Sequence, residues 1–187
     1  MDSKELLYSK IDQLGKDHIK MKIKSNIQNS EYIIKQLFKE CASSNEIQNL
    51  TQSDYISLAE GLMHFLLAIT ITPSQRKINI CNTEVSILVP GASDLKKKSD
   101  KVVIIQFLKG DEIECMKTIN ELLEIQPTFD NIWLISYRPI VTKFGLKNFV
   151  IDDESIQNKE IIQPFSKVMI EINSFLNRIN YTGFRII

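Results

Sequence analysis

The stretch that decides the fold runs from residue 83 to residue 109 and reads TEVSILVPGASDLKKKSDKVVIIQFLK. Two runs rich in β-branched residues, Glu84–Val89 and Val102–Leu108, flank a polar loop that follows Pro90 and Gly91. Runs of this composition, bounded by turn residues, are typical of strands. The second run is almost unbroken in its apolar residues, which predicts a central strand buried on both faces.

A helix is predicted before these strands. Thr51 as N-cap and Asp54 three residues later approximate a capping box, and the helix should run to about Ile69. After Pro73 the hydrophobic period changes from 3.6 to 2, which predicts a first strand. We expect this strand to join the run that follows through a hairpin turn at Asn82-Thr83.

The rest of the chain continues the α/β pattern. A helix through about Gln126 follows the second run, then a strand at Ile132–Tyr137 and a weaker one at Phe149–Ile151. Pro164 is expected to open a C-terminal helix. The predicted order at the centre of the chain is therefore helix, three-strand meander, helix, strand.

This order and the two quoted runs resemble the core of the PD-(D/E)XK, or restriction-endonuclease-like, nucleases. In that family the first strand usually reads E-h-D-h-h-h-P and the second h-h-h-E-h-K, where h is apolar. The aspartate and glutamate hold Mg²⁺, and the lysine orients the attacking water. The resemblance covers roughly Thr51 to Tyr137 and implies a restriction-endonuclease-like α/β core.

The catalytic positions of the family are degenerate in this chain. Ser86 stands at the aspartate position, Gln106 at the glutamate position and Leu108 at the lysine position. Mg²⁺ needs charged oxygen ligands because it gives up its water reluctantly, and a hydroxyl with an amide cannot replace two carboxylates. The resemblance therefore implies an inactive site with no catalytic residues, no bound metal and no cofactor.

Two glutamates are fallback ligands if the carboxylates have migrated. Glu60 lies on the helix before the sheet, and Glu84 points to the same strand face as Ser86. The alternative for Glu60 is a solvated helix residue, and for Glu84 an exposed first residue of a strand. Gln106 is itself unusual, since a buried amide needs partners, and we expect a hydrogen bond with Ser86 as the candidate partner.

A cluster of lysines lies in the loop between the two diagnostic strands. Residues 92–101, called here the lysine loop, contain Lys96, Lys97, Lys98 and Lys101. Lys+Arg and Asp+Glu are balanced at 23 each, so any nucleic-acid footprint must be local. These lysines are the candidate nucleic-acid contacts, and the alternative is an ordinary solvated run of charge.

Length and composition favour a single soluble domain. The 187 residues divide into a helical extension at 1–48, the α/β core at 49–152 and a C-terminal helix at 160–187. Three dispersed cysteines without a C-x-x-C arrangement favour a reduced, cytoplasmic compartment. No apolar run reaches the roughly 18 residues of a membrane span, so no membrane partner is expected.

The first and last helices carry apolar stripes that predict a homodimer through the terminal helices, because exposed patches of this kind mark interfaces. The stripes are Leu7, Ile11, Leu14 and Met21 near the N-terminus, where His18 shares the helical spacing, and Phe165, Val168, Ile172, Phe175 and Ile179 near the C-terminus.

Three functions follow from the sequence. The first is an inactive nuclease-fold domain that binds nucleic acid or a protein partner. The second is an active Mg²⁺-dependent DNA endonuclease that uses migrated carboxylates, with Glu60 and Glu84 as the candidates. The third is a homo-oligomeric scaffold unrelated to nucleic acid.

Overall fold

The structure of the protein is a computed structural model that describes residues 2–44, 50–156 and 161–183. The described chain divides into two compact units. The helical unit contains the described residues up to Thr72 and those from Ser166 onward, and the sheet unit spans Pro73–Phe165. The domain boundaries expected at 48/49 and at 160 lie outside the described residues, and the single domain stays a prediction.

The sheet unit is built on one mixed sheet, whose strands in the described residues lie in chain order. The first three strands pair antiparallel, and the third to the sixth pair parallel. The strands are β1 Gln75–Ile80, β2 Thr83–Val89, β3 Val103–Phe107, β4 Ile132–Ser136, β5 Lys147–Val150 and β6 Ile162–Pro164.

Among the described residues, one α-helix belongs to the sheet unit and the other α-helices belong to the helical unit. None of the helices in the described ranges is long and apolar enough to cross a membrane. The helices are α1 Ser3–Leu14, α2 Lys16–Ser25, α3 Asn29–Ala42, α4 Gln52–Ile69, α5 Glu112–Ile125 and α6 Val168–Arg178. The predicted order of helix, three strands, helix and strand is confirmed by α4, β1 to β3, α5 and β4, and β5 and β6 extend the sheet.

The core of the sheet unit lies between the sheet and α5. Leu88, Ile104 and Leu134 come from three neighbouring strands and are fully buried with Ile119 and Leu122 of α5. Every residue of β3 is buried, which confirms the prediction of a central strand. The antiparallel pairing of β2 with β3 is also confirmed, since Ile87 to Val89 pair with Ile105 to Val103.

The hairpin turn between β1 and β2 lies one residue earlier than predicted. Cys81 and Asn82 form the turn, with positive φ angles of 50° and 66°. Two-residue hairpins of type I′ need positive φ at both central positions, because this geometry matches the twist of the strands. Thr83 is therefore the first residue of β2, and the prediction that placed it in the turn is wrong.

The N-terminal apolar stripe does not continue through one helix. Gly15, at φ 84°, ends α1 and precedes α2, so the helical phase changes there. Leu7 and Ile11 are buried as expected, but the residues expected to continue the stripe are not. His18 and Met21 are exposed and Leu14 is half-buried, whereas Ile19 and Ile23 are buried instead.

The C-terminal stripe is covered within the chain. Phe165, Val168, Ile172 and Phe175 are all buried, so the expectation that this helix exposes an apolar face is wrong. Pro164 ends β6 rather than opening the helix, because a 3₁₀ turn at Phe165–Lys167 intervenes before α6. The homodimer stays a prediction, but these apolar faces no longer support it.

Candidate nucleic-acid interface and degenerate nuclease site

Ser86 and Gln106 lie opposite each other where β2 and β3 separate. The backbone pairing of these strands ends at Ile87 and Ile105, and the two polar residues come one step further along. Directly opposite residues of an antiparallel pair point to the same side of the sheet. The expectation that Ser86 and Gln106 project together is confirmed by the hydrogen bonds that they share.

These hydrogen bonds join each side chain to the backbone of the other strand. The Ser86 N–H donates to Oε1 of Gln106 at 3.0 Å, and the Phe107 N–H donates to Oγ of Ser86 at 3.4 Å. Both polar residues are only 8% exposed. We call this arrangement the Ser86–Gln106 clasp. It confirms that Gln106 is hydrogen-bonded, with the backbone N–H of Ser86 rather than its hydroxyl as the donor.

Leu108, which the sequence resemblance assigns to the position of the family lysine, lies in the core. Its side chain is 3% exposed and packs with Cys115 and Ile119 of α5. Its backbone N–H donates to the carbonyl of Ile135 at 2.9 Å, which extends the contact between the β3 and β4 segments. A buried alkyl group here can neither orient water nor neutralise a developing charge.

The fallback glutamates have different environments. Glu60 is 7% exposed in the middle of α4, so the alternative of a solvated helix residue is wrong. Glu84 is exposed on β2 opposite Asn79, which agrees with the alternative that it is an exposed residue at the start of a strand. Among the described residues, no group of three or more His, Cys, Asp and Glu side chains is arranged to hold a metal ion.

Glu121 is a carboxylate near β2 that the sequence did not single out. The Thr83 hydroxyl donates to Oε2 of Glu121 at 3.2 Å, and Lys117 Nζ lies 3.9 Å from Oε1 of the same residue. These contacts attach α5 to the first residue of β2. The sequence carried no signal for the pair, because Thr83 was assigned to the turn and Glu121 was one of several glutamates on an exposed helix.

The lysine loop joins the end of β2 to the start of β3. Lys96, Lys97 and Lys98 are exposed, and Lys101 is half-buried. Because a strand rises about 3.3 Å per residue, the start of β3 lies about 10 Å along the strand from Gln106. The lysines are therefore at the opposite end of β3 from the Ser86–Gln106 clasp.

The lysine loop is held by side-chain amides from the segment before β4. Asn131 Nδ2 donates to the carbonyls of Ser99 and Asp100 at 3.2 and 2.9 Å. Gln126 Nε2 donates to the carbonyls of Ser99 and Val102 at 3.1 and 2.7 Å. The sequence indicated Gln126 only as the end of a helix and did not single out Asn131, because each contact joins residues far apart in the chain.

An exposed aromatic pair adjoins this anchored loop. The ring centroids of Phe129 and Phe144 are 5.1 Å apart, with 65° between the ring planes. The two residues are 39% and 49% exposed. The hydroxyls of Thr128 and Ser99 lie 3.0 Å apart and share a hydrogen bond, which connects the residue before Phe129 to the lysine loop.

No protein-family model matches the chain. No curated protein sequence matches it either.

Solved structures do match. The restriction endonuclease PspGI in a substrate DNA complex is similar with a TM-score of 0.59 and 14% identity, covering 95% of this chain and 94% of that one. Metal-depleted Ecl18kI in complex with uncleaved DNA is similar with a TM-score of 0.59 and 11% identity, covering 98% of this chain and 82% of that one. At these identities the likeness concerns the fold. The chain has the restriction-endonuclease-like fold.

Proposed function

We propose that this protein is a non-catalytic nuclease-fold domain that binds DNA. The observation that carries the proposal is the Ser86–Gln106 clasp, formed by the residues that the sequence resemblance assigns to the metal-binding positions. An uncharged hydroxyl and amide, each hydrogen-bonded to the opposite strand, replace the two carboxylates. The absence of a basic group at Leu108 supports the same conclusion, because no lysine remains to orient water.

The metal chemistry of the family argues against catalysis here. Mg²⁺ keeps most of its water and is held through carboxylates and substrate phosphates, so the loss of both carboxylates removes the charge that attracts it. We propose that the domain works without a metal cofactor. The active-nuclease alternative needs carboxylates brought together elsewhere, with Glu60 and Glu84 as the candidates.

Two observations support DNA as the partner. The structural neighbours PspGI and Ecl18kI were captured with DNA. In this chain the exposed lysines of the anchored loop offer a local positive surface on an otherwise balanced protein. Phosphate contacts from lysine supply most of the affinity of sequence-independent binding, so a local cluster suffices.

The experiment is a titration of fluorescently labelled duplex DNA, followed by anisotropy over a range of salt. The variant replaces Lys96, Lys97 and Lys98 by Glu, and the control replaces Lys20, Lys24 and Lys39 of the helical unit by Glu. If all three loop lysines contact phosphate, the slope of log K against log salt falls in magnitude by about 2 to 3 in the loop variant. The matched control should bind like the wild type. Equal losses in both variants would show that net charge alone matters and would contradict the proposal.

Location and oligomeric state complete the proposal. We propose a reducing, cytoplasmic location, supported by three dispersed cysteines, Cys41, Cys81 and Cys115, that form no C-x-x-C arrangement. A homodimer is the simplest oligomer, and the exposed side chains of Met21 and Tyr32 in the helical unit are its remaining support. Light scattering at tens of micromolar distinguishes a dimer from a monomer of 21.6 kDa.

A further inference from the structure

We propose that the edge of the sheet unit formed by the lysine loop and the Phe129–Phe144 pair binds single-stranded nucleic acid, with bases stacking on the rings. This inference rests on the proposed function and names the form of nucleic acid that this surface prefers. We call these residues the lysine–phenylalanine surface. It comprises Lys96, Lys97, Lys98, Lys101, Lys143, Phe129 and Phe144.

Topology brings these residues to one edge. The lysine loop leads into β3, Phe129 begins the 3₁₀ turn that leads into β4, and Phe144 lies in the loop that leads into β5. Strands β3, β4 and β5 are parallel neighbours, so the segments before them all lie at the same end of the sheet. The surface is therefore formed by three consecutive connections and not by one loop alone.

The aromatic pair offers a stacking platform. Two phenylalanine rings at 65° have an edge-to-face arrangement, in which one ring covers at most one face of the other. Both side chains are more than a third exposed, which is unusual for phenylalanine. Paired bases in a duplex present their faces to each other, whereas an unpaired base can stack on an exposed ring.

The charges around the rings suit a phosphate backbone. Lys143 is exposed next to Phe144, and the loop lysines adjoin Thr128 through its hydrogen bond with Ser99. Acidic neighbours are present in the same segments, namely Asp94, Asp100 and Asp130. Five lysines against these three aspartates leave the edge positive by two charges. A groove that combines positive charge with exposed aromatic rings is the usual composition of single-strand binding sites.

The edge is also held in place before any ligand arrives. Gln126 and Asn131 tie the lysine loop to the segment that carries Phe129 through hydrogen bonds of 2.7 to 3.2 Å. The Leu146 N–H donates to the hydroxyl of Thr142 at 3.1 Å, which closes the loop that carries Phe144. Binding to a surface already fixed in this way loses less conformational entropy than binding to free loops.

The test compares a labelled poly-dT oligonucleotide with a mixed-sequence duplex, both followed by anisotropy. The variant is Phe129→Leu with Phe144→Leu, which keeps apolar bulk but removes the aromatic faces. The control is Tyr8→Leu, which removes an exposed aromatic ring from the helical unit. Loss of stacking should weaken binding of the single strand about 5- to 100-fold in the double variant and leave duplex binding within a factor of about two. The control should bind both like the wild type.

Each other outcome has a defined meaning. Unchanged single-strand affinity in the double variant, or an equal loss for both nucleic acids, overturns the inference and leaves the proposed function standing. If the wild type binds only duplex DNA, the inference is wrong and the proposed function stands. If the wild type binds neither form, both the inference and the proposed function are wrong. If light scattering shows that the double variant loses self-association instead, the surface is a contact between copies of the chain and the inference is wrong. Phe144→Trp, which enlarges the ring, should preserve single-strand binding, and duplex binding retained by the leucine variant shows that its loss of single-strand binding is not misfolding.

Discussion

Ser86 and Gln106, two uncharged side chains, stand at the positions that the sequence resemblance assigns to the metal-binding carboxylates of restriction-endonuclease-like enzymes. Gln106 accepts a backbone N–H from β2, and Ser86 accepts one from β3. Each side chain satisfies a backbone donor at the point where the strands separate. A buried donor without a partner costs free energy, so the clasp has a structural role that two repelling carboxylates could not fill without a cation.

The clasp predicts unequal effects for its two side chains. Gln106→Met keeps the volume but leaves the Ser86 N–H without its acceptor, so we expect the free energy of unfolding to fall by about 1 to 3 kcal/mol. Ser86→Ala removes an acceptor at the longer distance of 3.4 Å and should cost less than about 1 kcal/mol. Urea unfolding of both variants measures the difference. A larger loss in Ser86→Ala than in Gln106→Met would contradict this account of the clasp.

The residues of the site differed in how far the sequence could reveal them. Gln106 was identifiable because an amide interrupts an apolar strand, and burial then requires a partner. The anchoring roles of Gln126 and Asn131 were not identifiable, because their acceptors are backbone carbonyls 24 to 32 residues away in the chain. The burial of Glu60 was missed since a glutamate within a helix is usually solvated.

Local sequence signals predicted the helices and strands best where a helix cap or a β-branched run was present. The capping box of α4 was predicted from Thr51 and Asp54 and is confirmed. The Asp54 N–H donates to Thr51 Oγ1 at 3.2 Å, and the Thr51 N–H donates to Asp54 Oδ2 at 2.9 Å. The strands followed from β-branched runs. The hairpin turn was misplaced by one residue, because Cys81 in a left-handed conformation is not expected from its residue type. The break at Gly15 was missed because the apolar residues on its two sides follow the spacing expected of one continuous helix.

The capping box predicts a dependence of stability on pH. Hydrogen bonds from the side chain and backbone of Thr51 lower the pKa of Asp54 below its usual 3.8. A lowered pKa in the folded state contributes stability that is present above pH 3.8 and is lost as the pH falls through the lowered value. Thr51→Ala should therefore cost about 1 kcal/mol at neutral pH and less in strong acid.

The control for this prediction is Ser53→Ala in the same turn, which removes an exposed hydroxyl that caps nothing. Chemical denaturation of wild type, Thr51→Ala and Ser53→Ala at several pH values measures the effect. A pKa of Asp54 by NMR titration that is unchanged in Thr51→Ala would show that the hydrogen bonds of Thr51 do not lower it.

The positive φ of Gly15 predicts that replacing this glycine by a residue with a Cβ lowers the free energy of unfolding. Its φ of 84° is strained for any residue with a Cβ, while the nearest atom to an added Cβ, His18 Cβ at 3.7 Å, leaves room. Gly15→Ala should therefore lower the free energy of unfolding by about 1 to 2 kcal/mol through the backbone alone. His18→Ala, an exposed position on α2, is the control and should change it by less than about 0.5 kcal/mol. Unfolding curves that superimpose for wild type and Gly15→Ala would refute the argument.

At the scale of the molecule, the fold and the chemistry of the site lead to different conclusions. The similarity to PspGI and Ecl18kI extends over nearly the whole chain, whereas the residues that the sequence resemblance assigns to the metal-binding positions are uncharged. A fold is compatible with many activities, and the groups in the site decide which one is possible. The order of helices and strands could be predicted because it follows from local periodicity. The surface formed before β3, β4 and β5 could not, because it depends on which strands become neighbours.

The most direct test of the central claim is cleavage of supercoiled plasmid DNA by the purified protein across a millimolar range of Mg²⁺, read by agarose gel. The account predicts that the plasmid stays supercoiled at every Mg²⁺ concentration, because neither Ser86 nor Gln106 supplies the charge that holds the cation. Mg²⁺-dependent nicking or linearisation that disappears in Glu60→Gln or Glu84→Gln would contradict it and would establish a working nuclease with migrated ligands.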